Sequence, residues 1–359
     1  MKSVNHSAWC QSENDGADAL DDRKKRVLRA VIDDYIQSAE PVGSRTLARK
    51  YDLGVSPATI RNEMADLEML GYLRHIHTSS GRVPSSKGYR FYVNGLIPPR
   101  PVSEEEKARI DRWYRYRVKR IDEVFQETAQ LIAEVTKNAA LVLAPQMSEA
   151  RFHCLEFLPL DAERVVAVLM TDAGFIENKI VRIPAGASLG DFRQMARMIN
   201  GKLAGRALAE VQRSAFHAMR EDIGDEKLAD AAENIIERAL SDTKKERLYL
   251  GSTSYLLEQP EFQDVERVKE MLLLLEEQEL VKDLLHAHMG EGLEVTIGQE
   301  NEDVHFKDTS FVTATYHLHG ELLGTIAVMG PTRMEYAKAM SLLEYMNDNL
   351  TNVVRHLEW

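Results

Sequence analysis

Residues 56–73, "SPATIRNEMADLEMLGYL", form a helix punctuated at both ends. Ser56 is an N-cap residue, and Pro57 suits the first helical position because it has no N–H to leave orphaned. Gly71 can take the left-handed conformation that stops a helix. Ile60, Met64 and Leu67 fall at i, i+4 and i+7, so one face is apolar. The opposite face carries Ala58, Thr59, Arg61 and Asn62. Such small, hydrogen-bonding residues stand out in a chain whose usual exposed residues are Glu, Lys and Asp.

The flanking text restricts the arrangement further. In residues 22–38, "DRKKRVLRAVIDDYIQS", Val27, Leu28, Val31, Ile32, Tyr35 and Ile36 share one helical face. Glu40-Pro41-Val42-Gly43 breaks the pattern, and Ser44 is placed to cap a second short helix, "RTLARKY". "DLGV" makes a tight turn, with Gly54 where positive φ is wanted. After Gly71, "YLRHIHT" reads as a strand, "SSGR" as its turn, "VPS" as the return and "SKGYRFYVNGL" as another helix. Helix, helix, a turn of about four residues, helix and hairpin is the order of a winged helix-turn-helix.

"IPPRPVSEEE", residues 97–106, is a proline-rich linker running into acids suited to a helix start. A long helix follows to about Lys137. The texture then becomes β-rich in "AALVLAP", "RFHCLEFLPL" and "RVVAVLMTDAGFIENKIVRIP". Residues 189–241 are helical, "LYLGSTSYLL" reads as a strand, and "VERVKEMLLLLEEQELVKDLLH" as one amphipathic helix. "EVTIGQEN", "SFVTATYHLHG" and "ELLGTIAVMGP" return to strands before a closing helix. β-text interrupted by helix and then resumed predicts an α+β domain carrying an insertion.

Charge separates these parts. Residues 21–100 hold 14 Lys/Arg against 9 Asp/Glu, whereas residues 101–359 hold 30 against 45, within an overall formal charge of −12. A small basic module in front of an acidic body points to the front module as the part that meets a polyanion. No apolar run approaches the length of a membrane span. The polar N-terminus lacks an apolar signal core and reads as a disordered tail over residues 1–19. The two cysteines, Cys10 and Cys154, do not suggest a disulfide framework, which fits a cytoplasmic chain.

A helix that enters the major groove brings its first turns to the base edges. Small residues allow that approach, and Asn, Thr and Arg offer donors and acceptors that discriminate bases. Asn62 has the amide to read adenine, and Arg61 suits guanine or a phosphate. Ser56 and Thr59 are within reach of phosphate or base, beside a helix N-terminus that attracts anions. Glu63, Asp66 and Glu68 make the second half acidic, so only the first two turns are expected to enter. Arg45 opens the helix that crosses the backbone and is expected on phosphate. Arg82, after Ser80-Gly81, is expected at the hairpin tip, gripping a phosphate or entering the minor groove. Lys24, Lys25 and Arg26 read as an ordinary solvated run.

With these residues in view, the chain resembles the heat-inducible transcription repressor family, HrcA. "DRKKRVLRAVIDDYIQSAEPVGSRTLA", "GVSPATIRNEMADLEMLGYL" and "HTSSGRVPSSKGYRFYV" carry the likeness at the front. "IGQEN", "GTIAVMGPTRMEYAKA" and the terminal helix carry it at the back. The resemblance implies a winged-helix domain (20–96) and, after the linker, a GAF-like domain in two segments (107–188 and 266–359). It also implies a largely helical dimerisation domain inserted at 189–265. It further implies a homodimer that binds an inverted-repeat operator upstream of chaperone operons and depends on the GroEL-type chaperonin. The family usually has a Gln-Pro pair before "HTS", where this chain has His75-Ile76.

Other readings call on other features. His75/His77, His286/His288 and His317/His319 are spaced to share strand faces, as a metal-responsive winged-helix regulator would need. No C-x-x-C or acid cluster completes a set. GAF-like folds often cradle small molecules, but the sequence names no ligand-binding constellation, and no cofactor is implied. G-x-S-x-G, Walker and H-E-x-x-H motifs are absent, which argues against an enzyme. If the basic front module docks on DNA, affinity should fall steeply with salt, with a log–log slope of about −0.9 per phosphate neutralised. A titration across salt concentrations checks this, and a flat response contradicts it.

Overall fold

The computed structural model describes residues 20–76, 81–98, 100–117, 121–144, 151–172, 176–183, 187–207, 229–230, 233, 246–262, 265–288, 290, 292–318 and 321–357. The tail expected over residues 1–19 lies outside them, as does most of the helical text between 208 and 245.

Three helices and a hairpin open the chain. Helix α1 (Asp22–Ser38) starts at Asp21, whose carboxylate accepts from the Lys24 amide at 2.8 Å, and ends where Ala39 turns left-handed. Helix α2 (Ser44–Lys50) follows Gly43, which is its N-cap without a side-chain bond, so Ser44 is the first helical residue rather than the cap. Gly54 takes φ +68° where a tight turn was expected, and Gly71 φ +81° where a helix stop was expected. Between them lies α3 (Pro57–Met69). Strand β1 (Leu73–His75) pairs antiparallel with β2 (Arg82–Pro84), and helix α4 (Ser86–Gly95) follows. Val27, Leu28, Val31 and Ile32 of α1 pack with Leu47, Ile60, Leu67 and Leu73 in one buried cluster. Each such side chain contributes about 1.5–3 kcal/mol on removal from water.

Helices α5 (Glu104–Arg117) and α6 (Ile121–Thr136) lead into β3 (Ala139–Ala144). Ser103 and Glu106 cap α5 reciprocally, with 2.9 and 3.2 Å bonds, so the linker gives way to helix three residues before the expected boundary at 106. The main sheet has five antiparallel strands in the order β7–β3–β10–β9–β8. Its other members are β7 (Arg247–Leu250), β8 (Leu293–Ile297), β9 (Thr309–Leu318) and β10 (Glu321–Pro331). β3 is buried along its whole length because both of its faces are covered. Ala140, Val142 and Ala144 join the cluster of Phe125 and Ile132 on α6 and Leu343 and Met346 on α11 (Tyr336–Leu357). Ala139, Leu141 and Leu143 face the cluster of Met271, Leu275, Val281 and Leu285. The latter residues come from α9 (Val265–Glu276) and α10 (Gln278–Ala287), two helices broken at Glu277 where one long helix was expected. After β7 the chain turns into a short helix, α8 (Ser254–Leu257), so the strand expected over "LYLGSTSYLL" ends at Leu250.

A second sheet stands apart. β4 (Phe152–Pro159), β5 (Arg164–Thr171) and β6 (Ile176–Arg182) form a three-stranded antiparallel sheet that shares no strand with the first. Helix α7 (Leu189–Leu203) lies on one face, where Phe157 and Phe192 meet edge to face at 5.1 Å. The Asn200 side chain ties α7 to β4 by accepting from the Leu155 amide at 2.8 Å and donating to its carbonyl at 3.1 Å. The expected division at 188/189 and at 265/266 does not run between the two sheets. The chain leaves the main sheet after Ala144 and rejoins it at Arg247, so β4–β6 belong with α7 and β7 belongs to the main sheet. The physical reason is that a strand's sequence records which of its faces is buried and not which strand it will pair with.

The separate core predicts separate stability. Phe192→Ala should cost the inserted unit about 3–5 kcal/mol. Hydrogen exchange should accelerate over residues 152–203 while the main sheet and residues 20–96 keep their protection. Uniform acceleration along the chain would contradict two independent cores.

Candidate nucleic-acid interface

The first turn of α3 is built by its own cap. Ser56 Oγ accepts from the Thr59 amide at 3.2 Å and lies 3.0 Å from Thr59 Oγ1, so one residue closes the turn and holds its neighbour's hydroxyl. Pro57 occupies the first helical position. Ile60, Met64 and Leu67 are buried, as their spacing predicts, which turns Ala58, Arg61 and Asn62 outward and leaves Thr59 half-buried. Neither Arg61 nor Asn62 has a side-chain partner among the described residues, and the guanidinium of Arg45 on α2 is likewise exposed and unpaired there.

The acids of α3 have a different arrangement, which the sequence reading missed. Lys24 of α1 places its ammonium 2.9 Å from Glu63 Oε2, 3.1 Å from Asp66 Oδ2 and 3.3 Å from Asp21 Oδ2. Hydrogen bonding to Glu63, then to Asp66, holds the Lys24 ammonium well above the ordinary lysine range, so it stays charged. Arg23 adds a second cation 3.5 Å from Glu63 Oε1. Lys24 is therefore not part of a solvated run. The signal available in the sequence was an acid pair at i and i+3 with no cation on its own helix to answer it.

Arg82 also differs from expectation. It lies in the hairpin ladder opposite His75, and its backbone N–H and C=O both bond to Val42 at 2.9 Å. Its guanidinium binds Glu68 at 2.8 and 2.9 Å, with 18% of the side chain exposed. The residue expected at the hairpin tip thus locks the hairpin to α3. Of the turn expected over residues 79–82, residues 79 and 80 lie outside the described residues, as do residues 77 and 78 of the strand before it. At the far end of α3, Lys87 donates to the Leu70 carbonyl at 2.9 Å and sits over the Tyr72 ring at 4.5 Å. Ser85 Oγ donates to the Gly71 carbonyl at 2.6 Å. The structure therefore keeps Ser56, Thr59, Arg61 and Asn62 together within the first two turns of α3 and ties Arg82 to the acidic end of the helix.

The "IGQEN" stretch closes a turn. The Asn301 amide donates to the carbonyls of Gly298, Phe306 and Thr309 at 2.8, 2.9 and 2.9 Å, and Glu300 accepts from the Ile297 amide at 2.8 Å. Of the paired histidines, His286 Nε2 lies 2.5 Å from Glu246 and His288 Nδ1 3.3 Å from the Thr296 hydroxyl. His77 and His319 lie outside the described residues. Among the described residues no cluster of three His, Cys, Asp or Glu side chains is placed to hold a metal, and no helix is long and apolar enough to cross a membrane.

Comparison with known proteins gives a consistent result. Residues 122–340 match the family model described as the HrcA protein C terminal domain. The heat-inducible transcription repressor HrcA of Symbiobacterium thermophilum is 40% identical over 338 residues, 94% of this chain and 99% of that protein. That of Pelotomaculum thermopropionicum is 40% identical over 340 residues, 94% of this chain and 98% of that protein. The crystal structure of a hypothetical protein, 23% identical, superposes with a TM-score of 0.67 over 94% of this chain and 98% of its own, so the two share a fold. Identity at this level over nearly the whole length of both chains establishes that this protein belongs to the HrcA family of heat-inducible transcription repressors.

Proposed function

We propose that the protein is a cytoplasmic, dimeric repressor of chaperone operons that reads an inverted-repeat operator with α3 of each protomer. The supporting observation is the division of α3: Arg61 and Asn62 are exposed and have no side-chain partner among the described residues, while Glu63, Asp66 and Glu68 are held by Lys24 and Arg82. In this reading residues 20–96 are a winged helix-turn-helix. Asn62 and Arg61 contact base edges, Ser56, Thr59 and Arg45 contact phosphate or base, and Arg82 keeps the wing against α3. The five-stranded sheet with its helices is the GAF-like domain. No ligand or metal signal is needed.

Dimerisation falls to the inserted unit. The face of its sheet away from α7 aligns Leu158, Val166 and Ile180 across three strands, with Leu158 52% and Ile180 63% exposed. Large apolar side chains gathered on one sheet face favour a second copy over water. Dependence on the GroEL-type chaperonin follows from connectivity. Leu141 of β3 must find Leu250 and Ala327, far along the chain, before the sheet closes. Such pairing is slow and leaves apolar helices exposed meanwhile. A chaperonin occupied by heat-damaged proteins would then leave the repressor unfinished and the chaperone genes open. The fraction of protein competent to bind operator, after refolding with and without chaperonin and ATP, tests this; equal fractions contradict it.

Binding measured on operator variants tests the base contacts. Asn62→Ala and Arg61→Ala should each lose roughly 1–3 kcal/mol for the preferred base and flatten discrimination at one position of each half-site. Arg45→Ala should weaken all sequences about equally. Unchanged base preference in Asn62→Ala would mean that α3 does not face the groove as described.

Lys24→Met should weaken binding to every sequence, because it frees two carboxylates beside the phosphates. Asp66→Asn in the same chain should restore part of the loss. Full affinity in Lys24→Met would show that the acids of α3 do not matter to docking.

A further inference from the structure

The DNA-reading head, residues 20–96, is docked onto the body by two arginines that reach in opposite directions. Arg90 of α4 reaches into the body. Its Nη2 donates to the Val295 carbonyl at 2.5 Å, and its guanidinium forks onto Glu300, with Nε 2.8 Å from Oε1. Glu300 is itself held by the Ile297 amide at 2.8 Å. Arg333, in the turn between β10 and α11, reaches into the head. Its Nη1 donates to the Ile36 carbonyl near the end of α1 at 3.0 Å, Nη2 to Gln259 Oε1 at 3.0 Å, and Nε to Glu261. Only 12% of the Arg333 side chain is exposed. Tyr89 and Tyr336, both buried, pack in the same joint with ring centroids 6.0 Å apart. One continuous apolar cluster runs from Leu28 of α1 through Tyr89 and Tyr336 to Leu343 of α11.

Domains joined by a linker ordinarily move relative to each other. This joint has a shared core and two planar forks, each with several acceptors fixed in direction, so rotation of the head would break several bonds together. Arg333 does a second thing. Gln259 and Glu261 lie in the segment after β7, where the chain has come back from the inserted unit. One guanidinium therefore ties together the head, the turn before α11 and the segment that returns from the inserted unit.

We propose that Arg90 and Arg333 are positioning residues that set the spacing and phase of the two half-sites the dimer accepts. This rests on the reading of the protein as a dimer on an inverted repeat. Two heads held at a fixed separation engage both half-sites only when the DNA presents them at matching distance and on the same face. The second contact then gains a high effective concentration, which is lost when the geometry forbids simultaneous engagement. Heads on a loose joint would accept a range of spacings.

The test uses the full-length protein and three duplexes: a single half-site, the operator, and the operator with about half a helical turn inserted between its half-sites. The native protein should bind the operator about 100-fold more tightly than the half-site and fall back to the half-site level on the inserted duplex. Arg333→Gln and Arg90→Gln should keep half-site affinity within about twofold and lose less than about tenfold on insertion. Dimer mass and thermal unfolding confirm that each variant is folded. Should Arg333→Gln not fold, Arg90→Gln alone decides, since its guanidinium lies at the partly exposed rim of the joint. Folded, dimeric variants that still discriminate about 100-fold between the two spacings would overturn the proposal, as would a native protein indifferent to spacing. A fall in half-site affinity would overturn it too, by making the arginines DNA contacts. If the native protein binds none of the three duplexes, the DNA-binding reading fails instead.

Discussion

β3 is hydrogen-bonded on both sides by strands that lie far ahead of it in the chain. Val142 pairs with Tyr249 on one edge and with Ile326 on the other. Both faces are covered too, by α6 and α11 on one side and by α9 and α10 on the other. One strut shows how closely this is fitted. The Tyr316 hydroxyl of β9 reaches across β10 to donate to the Leu143 carbonyl at 2.9 Å, over Gly324, where a Cβ would lie 2.2 Å from that carbonyl oxygen. Only glycine lets the hydroxyl pass. The turn that follows β10 carries Arg333 and the helix after it begins with Tyr336, so the joint with residues 20–96 depends on this sheet having closed. Residues 20–96 thus pack locally in sequence, while their placement depends on the most widely separated strand pairing among the described residues.

The head solves an electrostatic problem between Lys24 and Arg82. The helix proposed to meet a polyanion carries three acids, and each is answered from a neighbouring element rather than from its own. Glu63 and Asp66 face a lysine of α1, and Glu68 faces an arginine of β2. The same bonds fix the angle between α1, α3 and the hairpin, so charge compensation and orientation are one set of interactions. Ion pairs on an open surface contribute little. Here Glu63 is 8% exposed, and a carboxylate so placed needs its partner.

Much of the head was legible in the sequence because its signals are local. Ser56, Pro57 and Gly71 mark the ends of α3, and the 3.6-residue spacing of Ile60, Met64 and Leu67 marks its buried side. Gly54 marks the turn before it. What escaped detection was partnership across distance. Arg82 looked like a hairpin tip from its glycine neighbour, and only the fold brings Glu68 to it. Lys24 looked like one of a run of cations until α3 was laid against α1. The three strands β4–β6 read as β correctly, but the sheet they join was not legible, since a strand records which of its own faces is buried and not its partner. The break at Glu277 interrupts an apolar rhythm that runs on through both helices, so periodicity alone could not locate it.

The central claim is that the first two turns of α3, and not its far end, meet the DNA. A photo-crosslinking residue placed at Ala58, exposed beside Arg61 and Asn62, measures this directly against one placed at Met69, which is 80% exposed at the other end of the same helix. The account predicts crosslinks from position 58 to bases at symmetric positions in both half-sites of the operator, and none from position 69. Crosslinks from position 69 alone, or from neither position in a complex that binds operator tightly, would contradict it.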